Sequence, residues 1–313
     1  MQNEKVLVIG CTGQVALPVA RALAAENAVV GIARFKNKLA RKTLEESGVS
    51  CLTVDLSSPD LSDLPQDFSY ILNFSVARTG SWTPDLDINV GAIGFIMEHC
   101  RSARAMFHCS TAGVYQPWAD HVFTEDDPLG DNHRPWEVTL PFMSTYSISK
   151  IASEAAVRYG SRRWELPSVI ARLSVPYGDN GGWPAFHLGM MAAGLPIELH
   201  PERPIRCNPI HEDDIITTVP KLLDAAASVP PTVVNLGGTE SSVEEWCAEL
   251  GMLTGLEPSF VETPQTIASL PIDTARLTGL VGPIDRVTLK DGLKRMVVAR
   301  RPDLLTTEHP DPN

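Results

Sequence analysis

The sequence predicts an α/β fold: a doubly wound parallel sheet with a smaller C-terminal lobe interleaved with it. Three observations carry that prediction. Short β-branched runs alternate with helical patterns through the first third of the chain, a glycine turn links the first run directly to a helix, and Pro and Gly crowd the chain after about residue 173.

Taken in order, Lys5 to Ile9 read as a strand, because a short β-branched run ending at a glycine turn fits a buried parallel strand. Leu17 to Ala25 has helical periodicity, Ala28 to Ala33 is the second strand, and Asn37 to Ser47 is a charged helix. Strands at Ser50 to Val54 and Tyr70 to Phe74, a helix from Asp85 to Arg101 and a strand from Ala105 to Cys109 continue the alternation. Strands spaced by helices of this length indicate βαβ units, whose right-handed crossovers cover both sheet faces and leave ligands at the strands' carboxyl ends. Beyond residue 173 the elements shorten, as expected for a lobe built over the sheet. Segments near 205–217 and 232–238 are expected to return to the main domain, and 302–313, polar and proline-bearing, to be a disordered tail.

The chain has 313 residues, 43% apolar and 20% charged, enough to bury a large core without disulfides or metals. Lys and Arg number 26 against 38 Asp and Glu, a net charge of −12. With no basic run, that charge excludes nucleic acid and anionic membrane surfaces as expected partners. Six scattered cysteines without a C-x-x-C pair fit free thiols in a reducing compartment. No stretch has signal-peptide layout or transmembrane length, so a cytoplasmic location is expected. His187, His200 and His211 lack metal-ligand spacing, and no metal site is expected.

Gly10-Cys11-Thr12-Gly13-Gln14-Val15-Ala16 follows the first strand and opens a helix. Gly10 permits the tight turn, Gly13 lets backbone approach a pyrophosphate, and Ala16 lets the helix lie close on the sheet. The second strand ends in Arg34, where a carboxylate would bind a ribose 2′-hydroxyl. A guanidinium suits a 2′-phosphate, so NADP(H) is favoured and NAD(H) is the alternative. Asp55, after the third strand, is a candidate for the adenine amino group.

Tyr146 and Lys150 are four apart on a predicted helix, hence on one face. A phenol titrates near pH 10, and a fixed cation beside it brings it toward the working range of an acid/base. Ser110 and Thr111 follow a strand and offer a hydroxyl to a developing oxyanion.

With these landmarks in place the chain resembles an extended short-chain dehydrogenase/reductase of the NAD-dependent epimerase/dehydratase type over roughly residues 5–301. Further matching segments are Asp55-Leu56, Asn89, Arg172 to Gly178, Ile210 to Asp214, Asn235 to Gly238 and Asp273 to Leu277. The resemblance implies a Rossmann domain over 1–172 and a substrate-binding lobe over 173–301. It also implies Tyr146 as general acid/base, Lys150 as holder of the nicotinamide ribose and tuner of Tyr146, and Thr111 as the catalytic hydroxyl, with Ser110 the fallback. Cofactor contacts are implied at Gly10, Thr12, Gly13, Gln14, Val15, Arg34, Asp55, Leu56, Phe74, Ser75, Val76, Asn89, Tyr146, Lys150 and Val175. A homodimer through segments 85–101 and 145–160 is implied as well.

Departures from the family pattern narrow the substrate. The dehydratases' Asp-Glu pair is replaced by Ala112 and Gly113, which argues against elimination of water. Val175 stands where sugar-nucleotide enzymes tend to carry Asn. Cys207 stands where an Arg commonly grips phosphate, with Arg206 one step out of register. Residues 130–143 read as an insertion forming part of a lid, and Trp82, Ala112, Gly113, Trp136, Phe142 and Trp183 are expected to line an apolar, aromatic pocket. The expected activity is hydride transfer between nicotinamide and a small hydrophobic or aromatic carbonyl or secondary alcohol. The alternatives are a sugar-nucleotide epimerase and a dinucleotide-sensing binding protein.

Overall fold

A computed structural model describes residues 1–282 and 287–306. The N-terminal half alternates β1 (Lys5–Ile9), α1 (Ala16–Ala24), β2 (Ala28–Ala33), α2 (Lys38–Glu46), β3 (Ser50–Thr53), β4 (Tyr70–Asn73), α3 (Trp82–Leu86), α4 (Ala92–His99), β5 (Ala105–Thr111) and α5 (Tyr146–Trp164). Then follow β6 (Ser168–Leu173), β7 (Val175–Gly178), β8 (Gly181–Gly182), α6 (Trp183–Ala192), β9 (Ile197–Leu199), β10 (Arg206–Cys207), β11 (Pro209–His211) and α7 (Glu212–Asp224). The last elements are β12 (Thr232–Leu236), β13 (Ser241–Ser242), α8 (Val243–Thr254), β14 (Phe260–Glu262), α9 (Ala275–Val281) and α10 (Leu289–Arg300).

The main sheet has seven strands in the order β12-β6-β5-β4-β1-β2-β3, paired in parallel throughout. The order reverses between β1 and β4, and the cleft outside the strand ends at such a reversal is where this architecture binds ligands. β5 and β6 are buried along their whole length, as expected of strands covered on both faces. Val6, Val8, Val19 and Val234 pack one side of the sheet, and Leu7, Ile71, Ile96 and Val157 the other. A third apolar cluster around Trp246, Leu250, Leu293 and Met296 is the core of the C-terminal lobe.

Three sequence expectations change. The expected 85–101 helix is interrupted by a π-helical turn at Asp87–Gly91 between α3 and α4, where Asn89 is buried and bonds loop backbone. Of the segments expected to return, β12 joins the main sheet beside β6, and α7 packs on α1 and β5. β11 instead pairs with β7 in a small separate sheet. Pro302–Leu304 form a 3-10 turn, and the Thr306 N–H donates to the Leu253 carbonyl, so this part of the expected disordered tail is anchored by Leu304 and Leu305 on the lobe's core. Residues 307–313 lie outside the described residues. No described helix is long and apolar enough to cross a membrane.

Candidate active site

A cavity of about 420 Å³ opens at the carboxyl ends of β1, β4 and β5 and runs under the C-terminal lobe. Gly13, Gln14, Val15, Phe74 and Val76 line one end. Thr111, Tyr146 and Lys150 lie at its centre, and Val175, Trp183, Arg206 and Ile267 form the lobe's wall.

The dinucleotide end follows from local chemistry. Gly10 sits at φ +74°, and a Cβ there would lie 2.9 Å from Ser75 Cα, so only glycine lets the turn approach β4. A Cβ on Gly13 would meet only the Gly10 carbonyl within 4 Å, leaving bare backbone toward the cavity. The first turn of α1 carries no acidic residue and no side-chain cap. The Leu17 N–H is already given to the Gly13 carbonyl and Pro18 has none, so it is the helix dipole and the bare backbone of the turn that suit a pyrophosphate, and the turn fits a dinucleotide. Gln14 Nε2 donates to the Pro176 carbonyl at 3.2 Å and the Gln14 carbonyl accepts from Asn180 Nδ2 at 2.7 Å, tying the turn to the lobe. Arg34, Asp55 and Leu56 stand after β2 and β3, outside the cavity lining. Bonds from Ser57, with Arg34 and Lys36 nearby, hold the Asp55 carboxyl below the usual carboxylate range.

At the centre, Tyr146 is the first residue of α5, and Thr111 ends β5. Burial raises the Tyr146 phenol above its ordinary value, and the Thr111 hydroxyl and the Arg78 guanidinium oppose that rise. Arg78 lies 5.9 Å from the Tyr146 ring centroid. Lys150, expected to tune Tyr146, donates to the Cys109 carbonyl at 2.8 Å and the Ser75 carbonyl at 3.5 Å, and burial lowers its pKa. Arg78 is the cation whose charge opposes the rise at Tyr146. It was missed in the sequence, because a single Arg in the loop after β4 carries no motif.

The two hydroxyls differ in their bonding. Ser110 Oγ donates to Glu154 Oε1 at 2.6 Å, inside a sealed network in which Arg172 donates to both Glu154 oxygens. Thr111 lines the cavity, accepts from the Gly113 N–H at 3.1 Å and is the hydroxyl beside Tyr146.

Several of the expected residues lie outside the lining of this cavity. Asn89 uses its side chain to bond both the Ala77 N–H and carbonyl, and Ser149 Oγ, so it clamps the 75–78 loop to α5 and stays outside the cavity lining. Gly10, Thr12 and Ser75 likewise shape the turn and loop without lining the cavity. Trp82 and Phe142 are exposed and lie outside the lining, because loop 80–82 and the insertion pack on each other at the surface: a Cβ on Gly80 would come within 2.5 Å of the Pro141 carbonyl. Ala112, Gly113, Trp136 and Trp183 do line the cavity. Trp136 and Trp183 meet edge to face at 5.7 Å.

Cys207 and its neighbour Arg206, on β10, both line the cavity: Cys207 is buried and also packs in the lobe's core, while Arg206 is half-buried with its guanidinium 3.2 Å from Glu240. Residues 130–143, from loop and short 3-10 turns, contribute His133, Trp136 and Met143 to the lining.

Solved structures with this architecture are numerous. The UDP-glucuronic acid 4-epimerase of Bacillus cereus, in complex with UDP-glucuronic acid and NAD, is 20% identical, with a TM-score of 0.79 over 94% of this chain and 98% of that one. A UDP-N-acetylglucosamine 4-epimerase from Methanobrevibacter ruminantium M1, in complex with UDP-N-acetylmuramic acid, is 15% identical, with a TM-score of 0.81 over 96% of this chain and 98% of that one. A dTDP-glucose 4,6-dehydratase from Bacillus anthracis, in complex with NAD, is 17% identical, with a TM-score of 0.79 over 96% and 97%. At these identities the likeness establishes the fold. A search of curated protein sequences returns no match. The family model of the NAD dependent epimerase/dehydratase family matches residues 6–237, about three-quarters of the sequence and all of the N-terminal turn, Thr111 and the Tyr146/Lys150 pair. The chain belongs to the NAD dependent epimerase/dehydratase family.

Proposed function

We propose that the chain interconverts a carbinol and a carbonyl on the sugar ring of a sugar nucleotide, with net epimerisation and retention of the dinucleotide. The observation that carries the reading is the half-buried Tyr146 phenol lining the cavity beside the Thr111 hydroxyl, with the Arg78 guanidinium 5.9 Å from its ring centroid. A bound nicotinamide dinucleotide supplies the hydride acceptor and donor. Tyr146 takes the carbinol proton at its phenol oxygen and returns it, Thr111 donates a hydrogen bond to the substrate oxygen, and Arg78 favours the phenolate. Lys150, held by two backbone carbonyls, presents its ammonium to the ribose of the dinucleotide.

Two things support a sugar nucleotide over the hydrophobic carbonyl expected from sequence alone. Arg206 restores a cation to the wall that would meet a diphosphate, and the solved neighbours named above are sugar-nucleotide enzymes. The absence of side-chain chemistry at Ala112 and Gly113 favours epimerisation over dehydration. One observation favours a second reading, net oxidoreduction of an apolar carbonyl: Trp136, Met143, Trp183, Ile205, Ile267 and Leu270 make most of the lobe's wall apolar. The Bacillus cereus and Bacillus anthracis neighbours are complexes with NAD, while Arg34 at the end of β2 supports acceptance of a 2′-phosphate, so NADP(H) preference is the finer proposal. A homodimer through α4 and α5 completes the reading, supported by Phe95 and Tyr159, both exposed on those helices.

The test is a melting-temperature screen of UDP-, GDP- and dTDP-sugars in the presence of NAD, followed by product analysis of any that stabilise. Epimer formation without accumulation of reduced nicotinamide is the expected result. Stoichiometric reduction with an apolar alcohol, and no stabilisation by any sugar nucleotide, selects the second reading.

A further inference from the structure

The insertion brings an imidazole into the active site beside residue 113. A Cβ on Gly113 would stand 2.2 Å from His133 Cε1 and 2.7 Å from Nδ1, so the His133 ring occupies the space a side chain at 113 would take. The ring is buried, lines the cavity, and meets the Tyr146 ring edge to face at 4.8 Å.

Its hydrogen bonds fix its chemical state. Ser147, one residue past Tyr146, donates its hydroxyl proton to the Gly113 carbonyl at 2.7 Å. The Ser147 oxygen is then an acceptor, and it lies 3.2 Å from the His133 backbone N and 2.8 Å from Nδ1. Nδ1 therefore carries the proton, and Nε2 holds a lone pair. Burial, then the neighbouring Arg78 charge, holds the imidazole down to about 3, so it stays neutral. Nε2 has no bonded protein partner among the described residues, yet it is not among their sealed, unpartnered atoms: it opens to the cavity. A fixed lone pair beside the acid/base, with no donor bonded to it among the described residues, is an acceptor kept for a ligand's donor.

We propose that His133 is a specificity-determining residue whose Nε2 accepts a hydrogen bond from a hydroxyl on the carbon next to the one Tyr146 acts on, selecting vicinal diols over lone carbinols. The inference rests on the reading of Tyr146 as acid/base at a carbinol. It adds which substrates that site admits.

The probes are trans-cyclohexane-1,2-diol and cyclohexanol, oxidised with NAD and NADP, in wild type, His133→Phe and His133→Gln. One neutral hydrogen bond is worth about tenfold. The wild type is expected to prefer the diol by about that factor in kcat/KM. His133→Phe keeps an aromatic ring and abolishes the preference, its diol turnover falling about tenfold further than its cyclohexanol turnover, and His133→Gln, which still offers an acceptor, recovers part of it. Equal loss on both alcohols, or an unchanged preference in His133→Phe, overturns the proposal. In parallel, 15N-histidine spectra of the wild type at neutral pH are expected to show Nε2 unprotonated and shifted by the diol. A protonated or unmoved Nε2 overturns the proposal by itself. Should the wild type turn over neither alcohol, the Tyr146 reading falls for these alcohols while the spectra still decide the role of His133.

Discussion

Replacing Glu154 with Gln removes one charge from a pair that water does not reach. Both side chains are 2% exposed, and Arg172 reaches the two carboxylate oxygens at 3.1 and 2.9 Å while Ser110 donates to one of them. Burial works against the Arg172 charge, but the bonds and charge of Glu154 outweigh it and hold the guanidinium above its ordinary value. Without the carboxylate charge that guanidinium is left with uncharged acceptors alone, the Gln amide oxygen, Tyr115 Oη and the Glu125 carbonyl. Breaking one side of a buried pair costs about 3–5 kcal/mol, a large share of the stability of an ordinary domain. Urea unfolding of the cofactor-free protein should show that loss for Glu154→Gln. The double variant Glu154→Leu with Arg172→Met should lie well above the sum of its two singles, because the second change removes the orphaned charge. It should still fall somewhat below wild type, since the Glu125 carbonyl and Ser110 hydroxyl lose their partners. A loss under about 1 kcal/mol in Glu154→Gln, or strict additivity in the cycle, would refute the reasoning.

Other expectations follow from the same contacts. Thr111→Val should lower kcat by about 10²–10³-fold, the usual cost of an oxyanion donor, whereas Ser110→Ala should act on stability with turnover largely kept; the reverse pattern would reassign the hydroxyl. Arg34→Ala should weaken NADPH binding at least about tenfold, the worth of one charge-assisted contact, and leave NADH nearly unchanged; equal weakening of both would show that Arg34 does not meet a 2′-phosphate. His133 and His187 are held down by burial to about 3 and about 4, so the unfolded chain takes up their protons first as pH falls. Their contribution is fully present above the unfolded value near 6.5 and is lost as pH drops toward 4 and then 3. Urea midpoints should therefore fall between neutral pH and pH 5, and a flat profile would contradict the assignment. Light scattering should give a dimer, and Phe95→Glu with Tyr159→Glu a monomer; an unchanged mass would move the interface elsewhere.

What the sequence revealed was what local chemistry fixes. The glycine turn could be read because only glycine takes φ +74° at Gly10, and the strands could be read because parallel strands buried on both faces are continuous apolar runs. That Tyr146 and Thr111 stand together at one cavity could be read because motif and order placed them at the ends of α5 and β5. What escaped was set by approach in three dimensions. Arg78 reaches Tyr146 across a loop, and His133 enters only because Gly113 leaves room for it. Arg206 reaches the cavity wall beside Cys207 because β10 pairs with β13 there. Asn89 sits in the family's position, but its side chain is consumed by Ala77 and Ser149, a use that depends on the π-turn and on α5 together. Trp82 and Phe142 were aromatic and near the cleft in sequence order, yet side-chain direction put them on the outer surface.

The central claim is that the Tyr146 phenol moves the proton while the N-terminal turn holds the dinucleotide, two roles carried by separate parts of one cavity. Tyr146→Phe separates them, measured as NAD and NADP affinity by calorimetry alongside turnover of the substrate found in the sugar-nucleotide screen. The account predicts cofactor affinity within about twofold of wild type and turnover lowered by about 10²–10⁴-fold, the span of a general acid/base. Turnover at the wild-type rate in the variant that lacks the phenol oxygen would contradict it.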